Sequence, residues 1–234
     1  MLSDPHYLEI QKINNLELTK PSSRTEIINF LLSTKDQNTT YLEIGVRNPE
    51  HNFNHIKAKY KYSVDPGLEF SSNPVDFNFT SDEFFKKLSN NEILNSDIRF
   101  DVIFIDGLHI AEQTERDIIN SLNYIKEDGF VVLHDCNPLS EWNTRENYNY
   151  MHTPALGYWH GTTWKAFYKW RQNPNINSCC IDTDFGVGII SKTEKIGEYT
   201  KSTNPYFEYY ILNENRNEHL NLLDFETFKS LFNK

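Results

Sequence analysis

The chain has 234 residues and a formal net charge of −10 at pH 7. This length suffices for one large α/β domain with a sizeable core. The negative charge argues against a nucleic-acid partner, because proteins that bind phosphate backbones cluster Lys and Arg. No apolar run reaches membrane-spanning length, the start lacks the pattern of a secretory signal, and the three cysteines do not suggest a disulfide framework. We therefore expect a cytoplasmic protein with reduced thiols and no membrane partner.

The first elements predicted along the chain alternate between helix and strand. A helix capped by Ser22 or Ser23 comes first. Residues 40–46 form a β-rich run, and a helix near 51–59 leads to a second strand at 60–65. A strand, a tight turn, a helix and a second strand in succession are typical of a nucleotide-type cofactor site at the carboxyl ends of parallel strands.

Three residues at the ends of these two strands, Glu43, Gly45 and Asp65, carry the cofactor prediction. Gly45 has no Cβ and lets the backbone approach a ligand, while Asp65 follows at the distance typical of an acid that binds ribose hydroxyls. The chain lacks the glycines of G-x-G-x-x-G that a pyrophosphate requires, which favours S-adenosylmethionine (SAM) over a dinucleotide. The alternative is structural: Glu43 caps a helix or pairs with Arg47, and Gly45 only turns the chain.

The rest of the chain continues the alternation of a parallel sheet with crossover helices. The predicted elements are a short edge strand at 75–79, a helix capped by Ser81, a buried strand at 101–105, a helix at 110–126, a buried strand at 130–133, a helix near 162–172, strands at 177–182 and 186–191, and helical segments around 205–213 and 223–233. A tight connection joins the last two strands, so that pair should be antiparallel. The long aromatic loop 136–161 is expected to form a lid or a substrate wall.

Four polar side chains follow two neighbouring buried strands. Asp106 and His109 lie in FIDGLH, and His134 and Asp135 lie in VVLHDC. The group could hold Mg²⁺ or Mn²⁺, with Asp106 and Asp135 as hard ligands, or a histidine could act as a general base. The alternative is again structural, with His134 bonded to backbone and Asp135 capping a turn. Three later polar side chains could reach the mouth of the site: His160, Lys165 and Asp184.

Seven segments of the chain resemble one family. They are YLEIGVRNPEHNFNHI, YSVDPG, TSDEFF, FDVIFIDGLHIAEQTERDIINSL, DGFVVLHDCNP, TTWKAF and DTDFGVGII, and they resemble the bacterial class I SAM-dependent methyltransferases of the small-molecule and glycan type. The resemblance covers roughly residues 38–191, and the tail also fits. It implies a Rossmann-like α/β fold with a seven-stranded, mostly parallel sheet, an antiparallel last strand and helices on both faces. We expect a single domain over 1–234, with a core at 38–191 and helical extensions at 1–37 and 192–234.

The resemblance also implies a role for each matching residue. Carried over by motif, Glu43, Gly45 and Arg47 line the methionine side of SAM, Asp65 binds the ribose, Ser81 and Asp82 lie near the adenine, and Asp106, His109, His134 and Asp135 face the transferred methyl group. Asp106 is counted with the cofactor-binding residues as well, and the predicted catalytic residues are Asp106, His109 and His134. Related O-methyltransferases bind a metal through acids at strand ends, and this sequence has His134 and Asp135 where some of them have paired acids.

A base and a metal site would each help a hydroxyl to lose its proton, so the sequence favours an O-methyltransferase. Trp142 and Trp159 would suit a sugar, and the net charge disfavours a heavily anionic acceptor. Rival functions are a metal-dependent hydrolase at the four-residue cluster, a non-catalytic SAM- or nucleotide-binding module, and an NAD-linked oxidoreductase, against which the missing glycines count. The oligomeric state stays open, with a homo-oligomer among the alternatives.

Overall fold

The backbone forms a seven-stranded sheet. The computed structural model describes residues 4–70, 72–149 and 152–233. Its strands are β1 (Thr40–Ile44), β2 (Tyr60–Val64), β3 (Phe100–Ile105), β4 (Ile125–Leu133), β5 (Asn177–Ile181), β6 (Val187–Ser191) and β7 (Leu222–Leu223). They lie in the order β2-β1-β3-β4-β6-β5-β7, and β6 runs antiparallel to both neighbours while the other pairings are parallel. This arrangement confirms the predicted mostly parallel sheet with one antiparallel strand.

Helices cover both faces of the sheet, as predicted. The α-helices are α1 (Pro5–Glu17), α2 (Arg24–Ser33), α3 (Ser81–Ser89), α4 (Ala111–Tyr124), α5 (Thr163–Arg171), α6 (Tyr209–Glu214), α7 (Arg216–Leu220) and α8 (Phe225–Ser230). Buried side chains of α3, α4 and α5 belong to one core cluster, and those of α2 and α8 belong to the other. Among the helices of the described residues, none is long and apolar enough to cross a membrane. With both faces covered, the carboxyl-end edge of the sheet is where this type of fold binds ligands.

The seventh strand lies in a different place from the predicted one. Within the described range 72–149, residues 75–79 form no strand and meet the sheet through a single bridge between Val64 and Phe77. The side chain of Asp76 explains the difference, because its carboxylate accepts the backbone N–H of Ser63 at 3.0 Å in place of a backbone carbonyl. The short strand β7 completes the sheet beside β5, at the opposite edge.

The connection between β1 and β2 also differs from the prediction. The expected helix near 51–59 is a pair of short 3-10 turns, Pro49–His51 and Phe53–His55. The Asn48 side chain accepts the backbone N–H of Glu50 at 3.1 Å. Local side-chain bonds of this kind compete with a continuous helix.

The cap of helix α3 lies one residue earlier than predicted. The hydroxyl of Thr80 accepts the backbone N–H of Glu83 at 3.3 Å, and the Glu83 side chain bonds back to the N–H of Thr80. This reciprocal pair is a capping box. Ser81 is therefore the first helical residue and not the cap, which leaves its hydroxyl available for other contacts.

Gly45 turns the chain where β1 approaches the end of β3. Its φ is +90°, a conformation that L side chains rarely adopt, and a Cβ built there would lie 2.2 Å from the carbonyl oxygen of Asp106. Its own N–H donates to the carbonyl of Val64 at 2.8 Å. The packing of the chain against itself therefore requires a glycine here, before any ligand is considered.

We expect Gly45→Ala to destabilise the fold by more than about 2 kcal/mol, because the methyl group would strain a left-handed backbone and push against the Asp106 carbonyl. Gly107→Ala is the matched control. A Cβ at that position lies 3.7 Å from its nearest neighbour, Cγ2 of Ile44, so we expect a change within about 1 kcal/mol. Urea unfolding measures both variants. Equal stabilities of Gly45→Ala and the wild type would show that this turn relaxes freely.

Candidate functional site

The carboxyl ends of β3 and β4 bring three ionisable side chains together. Ile105 pairs with Leu133 in the parallel register of these strands, so Asp106 and His134 leave the sheet side by side and Asp135 follows. One potential ligand atom from each of Asp106, His134 and Asp135 lies within 4.8 Å of the others. The strand register thus converts two distant sequence motifs into one site.

His109 joins this group from the loop after β3. Its Nε2 lies 3.1 Å from Oδ1 of Asp106, and its Nδ1 lies 3.2 Å from Oδ2 of Asp135. His134 faces the same two carboxylates through Nδ1, at 3.4 and 3.3 Å. The structure therefore brings together the four residues that are predicted to face the transferred methyl group. They form one network of two imidazoles and two carboxylates.

Arg24 and Asp184 extend the network beyond the four predicted residues. Nε2 of His134 lies 3.1 Å from Oδ1 of Asp184 in the turn between β5 and β6, and Nη1 of Arg24 lies 3.2 Å from the same oxygen. The sequence placed Asp184 near the mouth of the site, but sequence reasoning missed Arg24. Arg24 begins α2 and is 110 positions from His134, so no motif or spacing links the two.

The imidazole ring of His160 lies beside the network and forms no hydrogen bond with the described residues. Only 2% of the residue is exposed, and its Nε2 is 3.8 Å from Oδ1 of Asp135. Neither ring nitrogen has a partner within the part of the chain that the structure describes. Burial lowers the pKa of His160 to about 4, so the ring is neutral at pH 7. Because buried polar groups are almost always paired, an ordered water or a bound group is expected beside this ring.

Opposite charges fix the ionisation of the network. Burial alone would lower the pKa of His134, but the carboxylates of Asp135 and Asp106 outweigh burial and raise that pKa well above its usual range. Burial would raise the pKa of Asp106, but the charge of His134 and hydrogen bonds from both histidines hold it well below its usual range. The pKa of Asp184 is lowered against burial by its hydrogen bond to His134 and by Arg24. The network is therefore a set of mutually dependent ion pairs.

Glu43 occupies a separate buried group at the end of β1. Its Oε2 accepts the hydroxyl of Tyr41 at 2.6 Å and the amide of Asn52 at 2.8 Å. The hydroxyl of Thr25 donates to the Asn52 carbonyl oxygen at 2.7 Å and so orients that amide. Burial raises the pKa of Glu43 to about 7, although both hydrogen bonds act in the opposite direction. The carboxyl group therefore lies near the boundary between its neutral and charged forms at pH 7.

Asp65 and Arg47, two further residues of the cofactor prediction, lie at the same edge of the sheet. Asp65 follows β2 and is half-buried, and its Oδ1 accepts the N–H of Gly67 at 2.6 Å. Burial raises the pKa of Asp65. Arg47 is exposed and pairs with Glu69 at 3.2 Å. Among the described residues, neither side chain contacts the network at the ends of β3 and β4. Both residues therefore lie outside that network.

Ser81 and Asp82 tie α3 to α4. The amide of Gln113 donates to the Ser81 hydroxyl at 3.1 Å and to Oδ1 of Asp82 at 3.3 Å. Asp82 also pairs with Arg116 at 3.4 Å. These contacts give both residues a role in helix packing, and their position near an adenine stays a prediction.

The aromatic loop 136–161 lies against His109. The ring of Trp159 stacks on the imidazole with centroids 4.9 Å apart and an interplanar angle of 21°. Tyr148 meets Trp159 at 5.4 Å, and the indole N–H of Trp159 donates to the carbonyl of Arg145 at 2.6 Å. Residues 150 and 151 of this loop lie outside the described residues. The described part of the loop therefore sets an aromatic surface next to the ionised network.

A family profile and several solved structures resemble this chain. Residues 23–136 match a family profile described as a methyltransferase domain, and no curated protein matches the sequence. Three solved structures are similar in fold. The O-methyltransferase from Bacillus cereus in complex with SAH is 14% identical, with 80% of this chain and 90% of that chain covered and a TM-score of 0.43. MycE from the mycinamycin biosynthetic pathway, in complex with Mg, SAH and mycinamycin VI, is 14% identical, with 88% and 58% covered and a TM-score of 0.45. The SAH-bound Podospora anserina methyltransferase PaMTH1 is 15% identical, with 81% and 88% covered and a TM-score of 0.45.

Glu43→Gln should change how stability depends on pH. The folded protein keeps a proton on Glu43 between about pH 4.5 and 7, where the unfolded chain has lost it. The folded state binds more protons than the unfolded state in this pH range. Glu43 therefore makes the free energy of unfolding of the wild type fall as pH rises from about 4.5 to 7, by roughly 3 kcal/mol over the whole range. Glu43→Gln has no such group and should lose that part of the slope.

Urea unfolding of both proteins at pH 5 and pH 8, without added ligand, measures the difference. Asp117 also has a pKa raised by burial, to about 6, but it is present in both proteins and cancels. A constant stability difference between the two proteins at the two pH values would contradict a raised pKa for Glu43.

Proposed function

We propose that this chain, whose residues 23–136 match a profile described as a methyltransferase domain, is a SAM-dependent methyltransferase that transfers the methyl group of SAM to a hydroxyl oxygen of a small-molecule or glycan acceptor. Bound SAM would supply an electrophilic methyl group. The chain must then position the hydroxyl and accept its proton. The observation that carries the proposal is the network of imidazoles and carboxylates at the ends of β3 and β4, because it offers proton acceptors and cation ligands in one place.

The carboxyl ends of β1 and β2 suit SAM. Gly45 has no side chain, and its backbone lies near two carboxyl groups, those of Glu43 and Asp65. A carboxylate offers about four acceptor positions, and the bond from Gly67 to Oδ1 of Asp65 uses one of them, which leaves capacity for ribose hydroxyls. Glu43 would face the ammonium group of the methionine moiety, whose positive charge favours the ionised carboxylate. Arg47, Ser81 and Asp82 keep the roles that the resemblance implies.

His109 is the residue that we propose as the proton acceptor. Of the two network histidines, its side chain is the more exposed, at 17% against 9% for His134. It also stacks on Trp159, so it lies between the ion pairs and the aromatic surface where an acceptor would bind. His134 is enclosed by Asp106, Asp135 and Asp184, which favours a role in holding a cation over a role as the proton acceptor.

The same network has the ligand chemistry for Mg²⁺ or Mn²⁺. Asp106, His134 and Asp135 would hold the ion, since carboxylates and imidazole suit these metals. Nδ1 of His134 lies 3.4 Å from a carboxylate oxygen of Asp106 and 3.3 Å from one of Asp135, so the three potential ligand atoms face one another. The unpaired His160 ring beside Asp135 is consistent with a bound group here. A bound cation would lower the pKa of a coordinated hydroxyl.

The acceptor proposal draws on the aromatic loop and the charge of the chain. Trp159 and Tyr148 offer ring faces suited to a sugar or another small ring, while a net charge of −10 disfavours a heavily anionic acceptor. We propose that loop 136–161 is the acceptor wall of a single domain. The three cysteines are free and buried, which is consistent with the cytoplasmic location that we propose.

Asp65→Ala should weaken SAM binding by about 1–3 kcal/mol, the usual cost of removing a hydrogen-bonding partner from a buried group. Asp128→Ala is the matched control, because Asp128 lies in β4 and pairs with Lys35 far from the carboxyl ends. Calorimetry of SAM and NAD⁺ with the wild type and both variants measures the effect. Unchanged SAM affinity in Asp65→Ala would remove Asp65 from the cofactor site, and binding of NAD⁺ in place of SAM would overturn the proposed function.

His109→Gln should lower methyl transfer by about 10²–10⁴-fold, the contribution typical of a general base, while SAM affinity stays the same. His55→Gln, in an exposed turn between β1 and β2, is the control and should be unaffected. The assay follows a labelled methyl group from SAM onto a panel of sugar and phenol hydroxyls, detected by mass shift. Near-normal turnover of His109→Gln would assign the proton to another group, and no transfer to any acceptor by the wild type would count against the proposed reaction.

A further inference from the structure

The second ring nitrogen of His134 is held by a pair of residues from other parts of the fold. Nε2 of His134 is 3.1 Å from Oδ1 of Asp184 and 3.1 Å from Nη1 of Arg24. Asp184 lies in the turn between β5 and β6, and Arg24 is the first residue of α2. The pair therefore contacts the network from the side opposite Asp106 and Asp135, which face Nδ1.

Asp184 and Arg24 are firmly joined to one another. The carboxylate of Asp184 accepts the backbone N–H of Arg24 at 3.0 Å and the guanidinium Nη1 at 3.2 and 3.3 Å. The neighbouring Thr183 hydroxyl donates to the carbonyls of Pro21 and Ser22 at 3.0 and 2.7 Å. These bonds tie the β5–β6 turn to the start of α2. The position of the Asp184 carboxylate is therefore fixed by both segments.

The chemistry of the contacts decides which nitrogen of His134 keeps its proton when a cation binds. A charged carboxylate only accepts, so the bond to Asp184 requires a proton on Nε2. A guanidinium only donates, so Arg24 alone would require a lone pair on Nε2 and would place the proton on Nδ1. Arg24 is already bonded to Asp184, and that leaves the Asp184 carboxylate as the acceptor for Nε2–H. Without a cation Nδ1 also carries a proton, because it faces the carboxylates of Asp106 and Asp135. Asp184 thus favours the arrangement in which Nε2 keeps its proton and a cation can take the place of the proton on Nδ1.

We propose that Arg24 and Asp184 form a positioning pair that acts through His134 and presents its Nδ1 to a divalent cation held with Asp106 and Asp135. A histidine that binds a metal commonly donates its other N–H to a carboxylate, which fixes the ring and makes the ligand nitrogen more basic. The inference rests on the cation site of the proposed function. It adds two residues that do not touch the ion and gives each a distinct role, because Asp184 sets the tautomer of His134 and Arg24 fixes Asp184.

Titration of the metal-free protein with Mn²⁺, followed by electron paramagnetic resonance, tests the pair without any acceptor or turnover. Asp184→Ala should weaken Mn²⁺ binding by about 10–100-fold, as expected when a partner of a metal-ligating histidine is lost. Asp182→Ala is the matched control, because this carboxylate lies two residues upstream and pairs with Lys20 at 2.9 Å and with Asn137 at 3.0 Å, away from His134. It should bind Mn²⁺ as the wild type does.

A double-mutant cycle separates positioning from general damage to the fold. If Asp184 acts through His134, then adding Asp184→Ala to His134→Ala should weaken Mn²⁺ binding by no more than about twofold further. A full loss in that background would show that Asp184 supports the site in some other way and would overturn the inference. Asp184→Asn is the control for misfolding of the alanine variant, because its amide oxygen can still accept Nε2–H. We expect Asp184→Asn to bind Mn²⁺ more tightly than Asp184→Ala.

The proton positions are visible in ¹⁵N spectra of histidine-labelled, metal-free protein. The wild type should show both ring nitrogens of His134 protonated. In Asp184→Ala, Nε2 should lose proton population, while Nδ1, which faces Asp106 and Asp135, keeps its proton. Unchanged ring shifts, or a wild type that binds no Mn²⁺, would overturn the inference. Neither result touches the proposed methyl transfer, which SAM calorimetry and the labelled-methyl assay test separately.

Discussion

The structure depends on the mutual neutralisation of buried charges at the carboxyl ends of β3 and β4. Three carboxylates, Asp106, Asp135 and Asp184, lie mostly out of water, where an unpaired charge is costly. Arg24 and the imidazole of His134 supply positive charge beside them, and His109 contacts two of them, Asp106 and Asp135. Because a carboxylate that loses one of these partners would remain buried and charged, the elements that supply the partners are held in place by the same interactions that form the site.

The topology of the sheet makes this convergence possible. β5 runs parallel to β4, and β6 returns between them. The turn that carries Asp184 therefore lies at the same edge of the sheet as Asp106 and Asp135. Helix α2 packs on one face with its first residue, Arg24, at that edge. The antiparallel strand β6, inserted beside β4, thus begins at this edge, and the turn that leads into it places Asp184 next to His134.

The sequence predicted the part of the site that follows from strand ends. Asp106, His109, His134 and Asp135 come directly after buried apolar runs, and parallel strands bring such ends together. Arg24 carries no comparable signal, because its partner is 110 positions away and an arginine at the start of a helix is common in sequences of every kind. The same limit applies to the predicted strand at 75–79. Apolar residues alternate there, but the backbone N–H of Ser63 bonds to the side chain of Asp76 where a strand would offer a backbone carbonyl. A hydropathy pattern cannot predict such a side-chain bond.

The aromatic loop 136–161, which we propose as the acceptor wall, is fixed at several points within its described residues. The amide of Asn143 donates to the side-chain oxygen of Asn14 in α1 at 3.0 Å, and both residues are buried. The indole of Trp142 donates to His6 of the same helix at 3.0 Å. The guanidinium of Arg145 donates to three carbonyls, of Trp142 at 2.9 Å, of Tyr158 at 3.1 Å and of Leu156 at 2.6 Å. A loop held in this way favours a fixed wall over a mobile lid. Ligand sites that are largely pre-formed select by shape and by a few placed polar groups, and here the wall ends on Trp159, directly against the imidazole of His109. In the proposed reaction, recognition of an acceptor ring and removal of its hydroxyl proton would therefore occur at adjoining surfaces, because the proposed wall and the proposed base are in contact.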